Sequence, residues 1–428
     1  MMCLLFALFL SLTVPASSLA WHVTTATQVG EGRFGGELWD NHQVLEMASH
    51  GTLLAVVAGS RINDYGKDDT SLYIYDIVND DTGEVLLQKT IRLASITVLF
   101  DSFRCPNIDN GHVSVWGDRV AVRTSSWPTT TSREEYYISI YHRNEGGSNN
   151  FGLEGGERLV YPDRVCGLAL NENSLVTSVT DYGSETYYSY SFHSFDRTRR
   201  SWIGTQVVVR PAWIGSFASL GSDNYVTYHS PIAPFTDDEA HIRKGPPDHS
   251  WDDVQQTLPI QVTGSIYGDM KVRSSEDSSV LAMRHGGFLI IFEKNETRGD
   301  YNEVTRWKRS GGGSFGQVLV SNNRICLLAT NQNMEQSEHN ATFSVHDRAG
   351  DGTWDEAGAY VTADYRISSG VLLDNGVLMV GYSAPSGEFG IADVAMIEAW
   401  SNAPTPAPSS APSPSPSLSM GPSTNPTQ

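Results

Sequence analysis

The chain has 428 residues, and its 49 acidic and 29 basic residues give a formal net charge of −20 at pH 7. An acidic chain of this kind repels the nucleic-acid backbone and anionic membrane surfaces, so we expect neither as a partner. Its length exceeds what one ordinary hydrophobic core supports, which favours a barrel or a repeat array.

Residues 1–20 are predicted to form a secretory signal peptide. The apolar run 4–12 is too short to span a bilayer, and Ser18 and Ala20 fit the small-residue rule for cleavage. We therefore expect a secreted, extracellular protein whose mature chain begins near Trp21, with association with a cell wall as one option. No later apolar stretch has the length of a transmembrane helix, so no membrane span is predicted.

A unit of about 50 residues recurs between residues 40 and 400, and this period matches four-stranded propeller blades. Each unit opens with a turn and an apolar strand, and these strands lie at residues 53–58, 119–122, 174–177, 224–227, 279–283, 324–328 and 377–380. A second strand of alternating pattern follows at residues 72–75, 137–141, 188–192, 288–292, 342–345 and 394–397. Alternation and β-branched or aromatic enrichment favour strands over helices.

Tryptophan residues follow the second strand in several units, and we expect each to open the outermost strand of its blade. They are Trp202, Trp251, Trp307 and Trp354. The last unit ends near Trp400 without such a strand, so residues 21–27 are predicted to supply it and to join the two chain ends. The sequence thus predicts that residues 21–401 form an all-β, seven-bladed β-propeller of four-stranded antiparallel blades, closed by the N-terminal strand, as a monomer.

Parts of the repeat resemble the FG-GAP repeat, which is the blade unit of integrin-α-type propellers. Residues 315–325 are similar to the opening of that repeat and begin with Phe-Gly. Residues 115–122 resemble its Gly-Asp turn, and residues 352–354 resemble its Gly-Thr-Trp turn. The resemblance covers most of residues 40–400 in degenerate form, and it implies a secreted propeller.

The C-terminal residues 402–428 are almost entirely Pro, Ser, Ala and Thr, without a charged or aromatic residue. Such a segment cannot bury enough apolar surface to offset its conformational entropy, so we predict a disordered tail. It resembles the tails of secreted algal and diatom proteins. It is expected to be an O-glycosylated stalk or to have no role of its own.

Metal and cofactor sites are not predicted. Integrin-type blades bind calcium through loops in which carboxylates alternate along an Asp-x-Asp-x-Asp-Gly sequence. Residues 79–83 and 347–352 lack that alternation, and Arg348 would place a cation beside the metal. The His and Cys residues also show no spacing typical of zinc ligands.

Catalytic motifs are matched only in part, so no catalytic residue is assigned. The segment Asp351–Trp354 is one residue short of a sialidase Asp box. The segment Gly312–Gly316 matches the Gly-x-Ser-x-Gly elbow by its letters, but it lies between two predicted strands rather than before a helix. Acidic residues are numerous enough to form a carboxylate pair, although no spacing selects one.

Cysteine usage and two sequons agree with secretion. Cys105 and Cys166 lie beside predicted strand ends and are the candidates for a disulfide, whereas Cys326 in an apolar run is predicted to be a buried free thiol. Asn295 and Asn340 each begin an Asn-x-Thr sequence and are predicted glycosylation sites.

The loops between the second and third strands are long and share one propeller face, where binding residues concentrate. Tyr65, Trp127 and Phe235 lie in the predicted loops 59–70, 124–134 and 230–250, respectively, and are candidates for stacking against a ligand, or else they fold back onto their own loops. We predict a non-catalytic extracellular module that binds or adheres to a glycan or protein ligand. The alternatives are a propeller enzyme with a carboxylate site in the central funnel, acting as a glycoside hydrolase or lyase, and a structural cell-wall protein.

Overall fold

The computed structural model describes strands, turns and short connections between residues 22 and 395. The described ranges are 22–28, 42–60, 70–79, 84–93, 113–126, 135–143, 151–155, 158–161, 164–180, 188–210, 212–221, 224–231, 239–244, 254–260, 270–285, 288–308, 317–329, 341–362, 366–383 and 389–395.

The strands form six four-stranded antiparallel sheets and one five-stranded sheet, numbered I to VII along the chain. Sheet I comprises β2 (His42–His50), β3 (Leu53–Ser60), β4 (Ser71–Asn79) and β5 (Glu84–Arg92). Sheet II comprises β6 (Val113–Trp116), β7 (Arg119–Ser126), β8 (Glu135–Arg143), β9 (Phe151–Leu153) and β10 (Leu159–Tyr161). Sheet III comprises β11 (Arg164–Leu170), β12 (Ser174–Thr180), β13 (Tyr188–Asp196) and β14 (Ser201–Arg210).

The remaining sheets follow the same order along the chain. Sheet IV comprises β15 (Ala212–Leu220), β16 (Asn224–Pro231), β17 (Glu239–Lys244) and β18 (Val254–Leu258). Sheet V comprises β19 (Met270–Ser274), β20 (Val280–His285), β21 (Phe288–Lys294) and β22 (Tyr301–Lys308). Sheet VI comprises β23 (Gln317–Val320), β24 (Arg324–Ala329), β25 (Ala341–Arg348) and β26 (Trp354–Thr362). Sheet VII comprises β27 (Arg366–Leu372), β28 (Leu378–Ser383), β29 (Phe389–Ala395) and β1 (His22–Gln28).

The first strands of the sheets surround a central channel, as in a propeller. Each first strand contacts the first strand of the next sheet, and β27 of sheet VII contacts β2 of sheet I. The apolar strands found in the sequence are the second strands β3, β7, β12, β16, β20, β24 and β28. Their apolar side chains are buried between neighbouring sheets, so the core lies in the interfaces of the ring.

The N-terminal strand β1 pairs antiparallel with β29, from His22 opposite Ala395 to Gln28 opposite Gly390. It is the edge strand of sheet VII, which is the position that the sequence predicts for it. Trp21, the first residue of the predicted segment 21–27, lies outside the described residues.

Six four-stranded blades are therefore shown, one fewer than predicted, and sheet II departs from the pattern because its outer strand is divided. Strand β9 pairs with one end of β8 and β10 with the other. Between them the chain leaves the ladder after Glu154, whose N–H still donates to the Ile140 carbonyl at 2.7 Å. Gly155 follows with a φ of 76°, a conformation that favours glycine.

The break in the strand turns Glu154 toward sheet III. Its carboxylate accepts hydrogen bonds from Arg119 Nε at 2.9 Å and from Trp202 Nε1 at 3.1 Å. The divided strand thus exchanges ladder hydrogen bonds for a charge-assisted contact between two blades.

Two details of the predicted blades are wrong. Trp354 does open β26 and Trp202 lies at the start of β14, but Trp307 lies near the end of β22, which Tyr301 opens instead. The Tyr301 hydroxyl donates to the Ser278 carbonyl at 2.5 Å, which ties the start of β22 to the turn that precedes β20. Trp251 lies outside the described residues.

The predicted loop 230–250 contains the strand β17, which runs from Glu239 to Lys244. Ala240 and Ile242 are buried at alternate positions, while polar and charged residues occupy the positions between and around them. These residues interrupt the short apolar pattern in the sequence, and pairing with β16 and β18 decides that the segment is a strand.

Candidate functional site

The central channel contains a cavity of about 160 Å³ that all seven first strands line. At one end of the cavity lie His50, Trp116 and Glu276, next to the turns that connect first and second strands. Gly51, Gly117 and their neighbours in these turns are exposed, so this end of the channel opens to the surface. We call His50, Trp116, Glu276 and Asp374 the channel mouth.

His50 joins three sheets at the channel mouth. Its ring contacts the ring of Trp116 at a centroid distance of 4.1 Å, and its Nδ1 accepts a hydrogen bond from the Gly117 N–H at 3.1 Å. Glu276 Oε1 lies 3.8 Å from the same nitrogen. Burial lowers the pKa of His50, and this effect is larger than the opposite effect of the Asp374 charge. Since Nδ1 also accepts a backbone hydrogen bond, the imidazole ring is neutral near pH 7.

Glu276 and Asp374 form a carboxyl pair across the mouth. Burial is the main cause that raises the pKa of Asp374 to about 6, followed by the charges of Glu276 and Asp277 and a hydrogen bond with Glu276. The hydrogen bond raises this pKa because it is made to the protonated form of Asp374. In its protonated form, the Asp374 carboxyl therefore donates its hydroxyl hydrogen to Glu276.

The turn that carries Glu276 is stabilised by hydrogen bonds rather than by the conformational preference of its residues. Ser278 has a φ of 61°, which is unfavourable for a residue other than glycine. Its N–H donates to the Ser275 carbonyl at 3.0 Å, and its hydroxyl accepts from the Gly221 N–H of sheet IV at 2.6 Å. Asp277 accepts from the Ser279 N–H at 2.8 Å, which fixes the other side of the turn.

Deeper in the channel the charge is positive. Arg273 lines the cavity, and Lys271 lies two residues before it on the same face of β19. Lys271 lies directly opposite Arg284 in the register of β19 and β20, and Arg284 is 1% exposed. Burial first, and then the charges of Arg284 and Arg273, lower the pKa of Lys271. The buried Glu46 opposes these charges, since its attraction raises the pKa of Arg273.

The same face carries charged contacts that fix neighbouring sheets against each other. Arg324 pairs with Asp347 at 2.6 Å and donates to the Gly376 carbonyl of sheet VII at 2.9 Å. Glu293 of sheet V accepts from Trp354 Nε1 at 2.8 Å and from Arg348 Nη2 at 2.6 Å. These contacts hold the turns around the mouth in place, so the site is largely preformed.

The partial Asp-box motif is a structural turn. Asp351 accepts hydrogen bonds from the Thr353 N–H at 2.9 Å and from the Thr353 hydroxyl at 2.7 Å. These bonds lower the pKa of the exposed Asp351, and they position Trp354 for burial between sheets V and VI. Nothing in this arrangement faces the channel, which agrees with the prediction of a plain blade turn.

The three aromatic residues predicted to bind a ligand lie outside the described residues. Tyr65, Trp127 and Phe235 belong to the segments that connect β3 with β4, β7 with β8, and β16 with β17. In chain order, all three segments connect the second strand of a sheet with its third. Their role stays a prediction.

Two cysteine residues, Cys166 and Cys326, lie in the described ranges. Cys166 is disulfide-bonded, and its predicted partner Cys105 lies outside the described residues, so the pairing stays a prediction. Cys326 is free and buried, as the sequence predicts, and burial raises the pKa of its thiol to about 12.

Of the two sequons, only the first lies in the described part of the chain. Asn295 begins the turn between β21 and β22, and its side-chain oxygen accepts from the N–H groups of Thr297 and Arg298 at 3.0 Å each. Asn340 lies outside the described residues.

The residues of the channel mouth were not identified from the sequence, although a signal existed. His50, Trp116, Glu276 and Asp374 all lie within two residues of the repeated turns. A comparison of the residues at equivalent turn positions would have placed them on one face. In the ranges that the structure describes, no group of three or more His, Cys, Asp or Glu residues is arranged to hold a metal ion.

No protein-family model matches the chain, and no curated protein matches it. Among solved structures, the chain is similar to the β-propeller domain of Cps50 (Swd1) from Myceliophteria thermophila, with 11% identity and a TM-score of 0.52 over 88% of this chain and 100% of that one. It is also similar to the β-propeller domain of the Trilobed protease from Pyrococcus furiosus, with 10% identity and a TM-score of 0.50 over 85% of this chain and 98% of that one.

The chain is a β-propeller. At this level of identity, the likeness extends to the fold alone, because one fold hosts many unrelated functions. Membership of the FG-GAP repeat family stays a prediction. No helix in the described part of this propeller has the length and apolar character needed to cross a membrane.

Proposed function

We propose that this β-propeller is a non-catalytic, extracellular binding module that recognises a protein ligand at the channel mouth. The observation that carries the proposal is the size of the cavity together with the charge at its opening. The cavity measures about 160 Å³, whereas pockets for small-molecule ligands measure roughly 300–1,000 Å³. A larger ligand would therefore rest on the turns and insert only one group.

The acidic residues of the mouth favour a ligand with a cationic group. Glu276 and Asp374 face each other, and Asp277 adds a third carboxylate next to them. An ammonium or guanidinium group bound between them would relieve the repulsion that Glu276 and Asp277 exert on the ionised form of Asp374. A neutral glycan offers no such group, which supports a basic side chain of a protein as the inserted group.

The alternative function is an enzyme that uses the same carboxyl pair on polysaccharide. In glycoside hydrolases, the two catalytic carboxyl groups are separated by about 5 Å or more, so that the sugar lies between them. Glu276 and Asp374 are hydrogen-bonded to each other. Their proximity, together with the small cavity, supports binding rather than hydrolysis.

Secretion belongs to the same proposal. The disulfide at Cys166 is typical of proteins that fold in an oxidising compartment. The first sequon lies in a hairpin turn at the end of two strands, where Asn295 is partly exposed. We further infer that sheet II counts as a blade with a divided outer strand, which gives a ring of seven blades displayed on the Pro/Ser/Thr-rich tail.

The test is a binding screen of the full secreted chain against peptide and glycan arrays, with isosteric variants of the mouth. We expect basic peptides to bind, and we expect Glu276→Gln and Asp374→Asn to weaken binding by about tenfold, as for the loss of about 1.4 kcal/mol. The control is Glu303→Gln, because Glu303 is exposed on the outer strand β22 and pairs there with Arg306.

Two outcomes would overturn the proposal. Binding that survives Glu276→Gln but is lost in Trp127→Ala would move the ligand to the loops predicted from the sequence. Release of sugar products by the wild type, abolished in Glu276→Gln, would establish the enzyme instead.

A further inference from the structure

Arg273 is a basic residue in the lining of the channel cavity. It lies near the end of β19, three residues before Glu276. Within the described ranges, the structure shows no hydrogen bond from its guanidinium to another residue, and the charge of Glu46 attracts it. The cavity is therefore lined by a cation that lacks a hydrogen-bonded partner among the described residues.

Such a group has a strong requirement for acceptors. A guanidinium has five N–H donors in a planar array that matches the two oxygens of a carboxylate or phosphate. Burial lowers the pKa of Arg273 to about 10, so the side chain still carries its charge at neutral pH. A buried charge is unfavourable unless it is paired and hydrogen-bonded, and an oxyanion in the cavity would provide both.

Two further basic residues, Lys271 and Arg284, lie near Arg273 at this depth of the channel. Lys271 and Arg284 are opposite each other in the register of β19 and β20, where like charges destabilise a sheet. Glu46 is the described acidic side chain that acts on Arg273. Ser49 also lines the cavity and adds a hydroxyl group to the same space.

We propose that the channel cavity is a binding site for an oxyanion, held by Arg273 with support from the positive charge behind it. The oxyanion is either a free small ion or the carboxylate end of a larger ligand, since both present the same pair of oxygens. The cavity of about 160 Å³ accommodates one such group and little more. Glu276 lines the same cavity at its mouth, so the oxyanion site and the cation site proposed there are neighbours; Arg273→Met tests the first and Asp374→Asn the second, so that either can fail alone.

The first test is calorimetric titration of the full chain with inorganic phosphate and with acetate at pH 7, with the ionic strength held constant by sodium chloride. We expect both ions to bind the wild type and Arg273→Met to lose at least about tenfold in affinity. Arg273→Lys should bind with intermediate affinity, because lysine keeps the charge but not the bidentate geometry. Arg197→Met is the matched control, since the Arg197 side chain is 73% exposed and is not among the residues that line the cavity.

A second measurement on the wild type covers the case in which Arg273→Met fails to fold. Phenylglyoxal modification of arginine residues, mapped by peptide mass spectrometry, should be slowed severalfold by phosphate at Arg273 but not at Arg197. Equal protection of both residues, or equal loss of affinity in Arg197→Met, would mean an adventitious ion only and would overturn the proposal. Binding of phosphate and acetate would identify a free-ion site, whereas acetate binding alone would indicate the carboxylate end of a ligand.

Discussion

Closure of the ring brings the backbone of sheet VII so close to sheet I that Gly381 cannot carry a side chain. A Cβ atom at Gly381 would lie 2.4 Å from Cγ1 and 2.6 Å from Cβ of Val44. Carbon atoms in contact normally lie about 3.5–4.0 Å apart, so a methyl group would force the two strands apart by about 1 Å. Neither Cβ atom can rotate away, because each is bonded directly to the backbone.

We therefore expect Gly381→Ala to destabilise the protein by about 3 kcal/mol, the upper end of the range for overpacked cores. The assay is urea unfolding followed by tryptophan fluorescence, in which the midpoint should fall while the slope stays constant. Gly204→Ala is the matched control, because a Cβ there would meet only the His193 ring at an ordinary 3.6 Å. It should change stability by less than about 1 kcal/mol.

A double-mutant cycle tests the stated cause. Val44→Ala removes Cγ1, the nearest obstacle, so Gly381→Ala should cost less in that background by about 1 kcal/mol or more. If Gly381→Ala left the midpoint unchanged, the close approach of sheets I and VII would be refuted; if Val44→Ala gave no relief, the contact with Cβ of Val44, which that variant keeps at 2.6 Å, rather than Cγ1 would be the cause.

Three further predictions concern ionisation, thiols and processing. The pKa of Asp374 is raised to about 6 from 3.8, so the stability that protonated Asp374 contributes to the folded state is complete below pH 3.8 and is lost as pH rises through 6. Relative to Asp374→Asn, the free energy of unfolding of the wild type, measured with urea, should fall over this window by about 1 kcal/mol, a value reduced because Asp374 is partly exposed. Equal pH dependence of the two proteins would contradict the raised pKa. Mass mapping of unreduced peptides should show Cys105 bonded to Cys166, and Cys326 should resist alkylation until the protein unfolds; any other pairing refutes the first part. Sequencing of the secreted protein should start near Trp21, and a retained N-terminal methionine would disprove the signal peptide.

The sequence by itself determined the repeating elements of this protein. The seven second strands are predictable because burial on both faces leaves a short apolar run after a turn, and that pattern depends only on neighbouring residues. The free thiol at Cys326 follows from the same rule, since it lies inside one of these runs. The edge position of β1 was predictable from counting strands, because the last unit lacks an outer strand.

Only the tertiary structure decided which of these elements differ and which residues meet. The strand β17 and the division of β9 from β10 depend on pairing with neighbouring strands, which outweighs local preference. Glu276, Asp374 and His50 belong to three different sheets, and their turns meet because the ring closes around a narrow channel. Arg273 has no distinguishing pattern in the sequence, and it lines a cavity because of the shape that the first strands enclose. Contacts of this kind depend on the geometry of the ring and not on the spacing of residues along the chain.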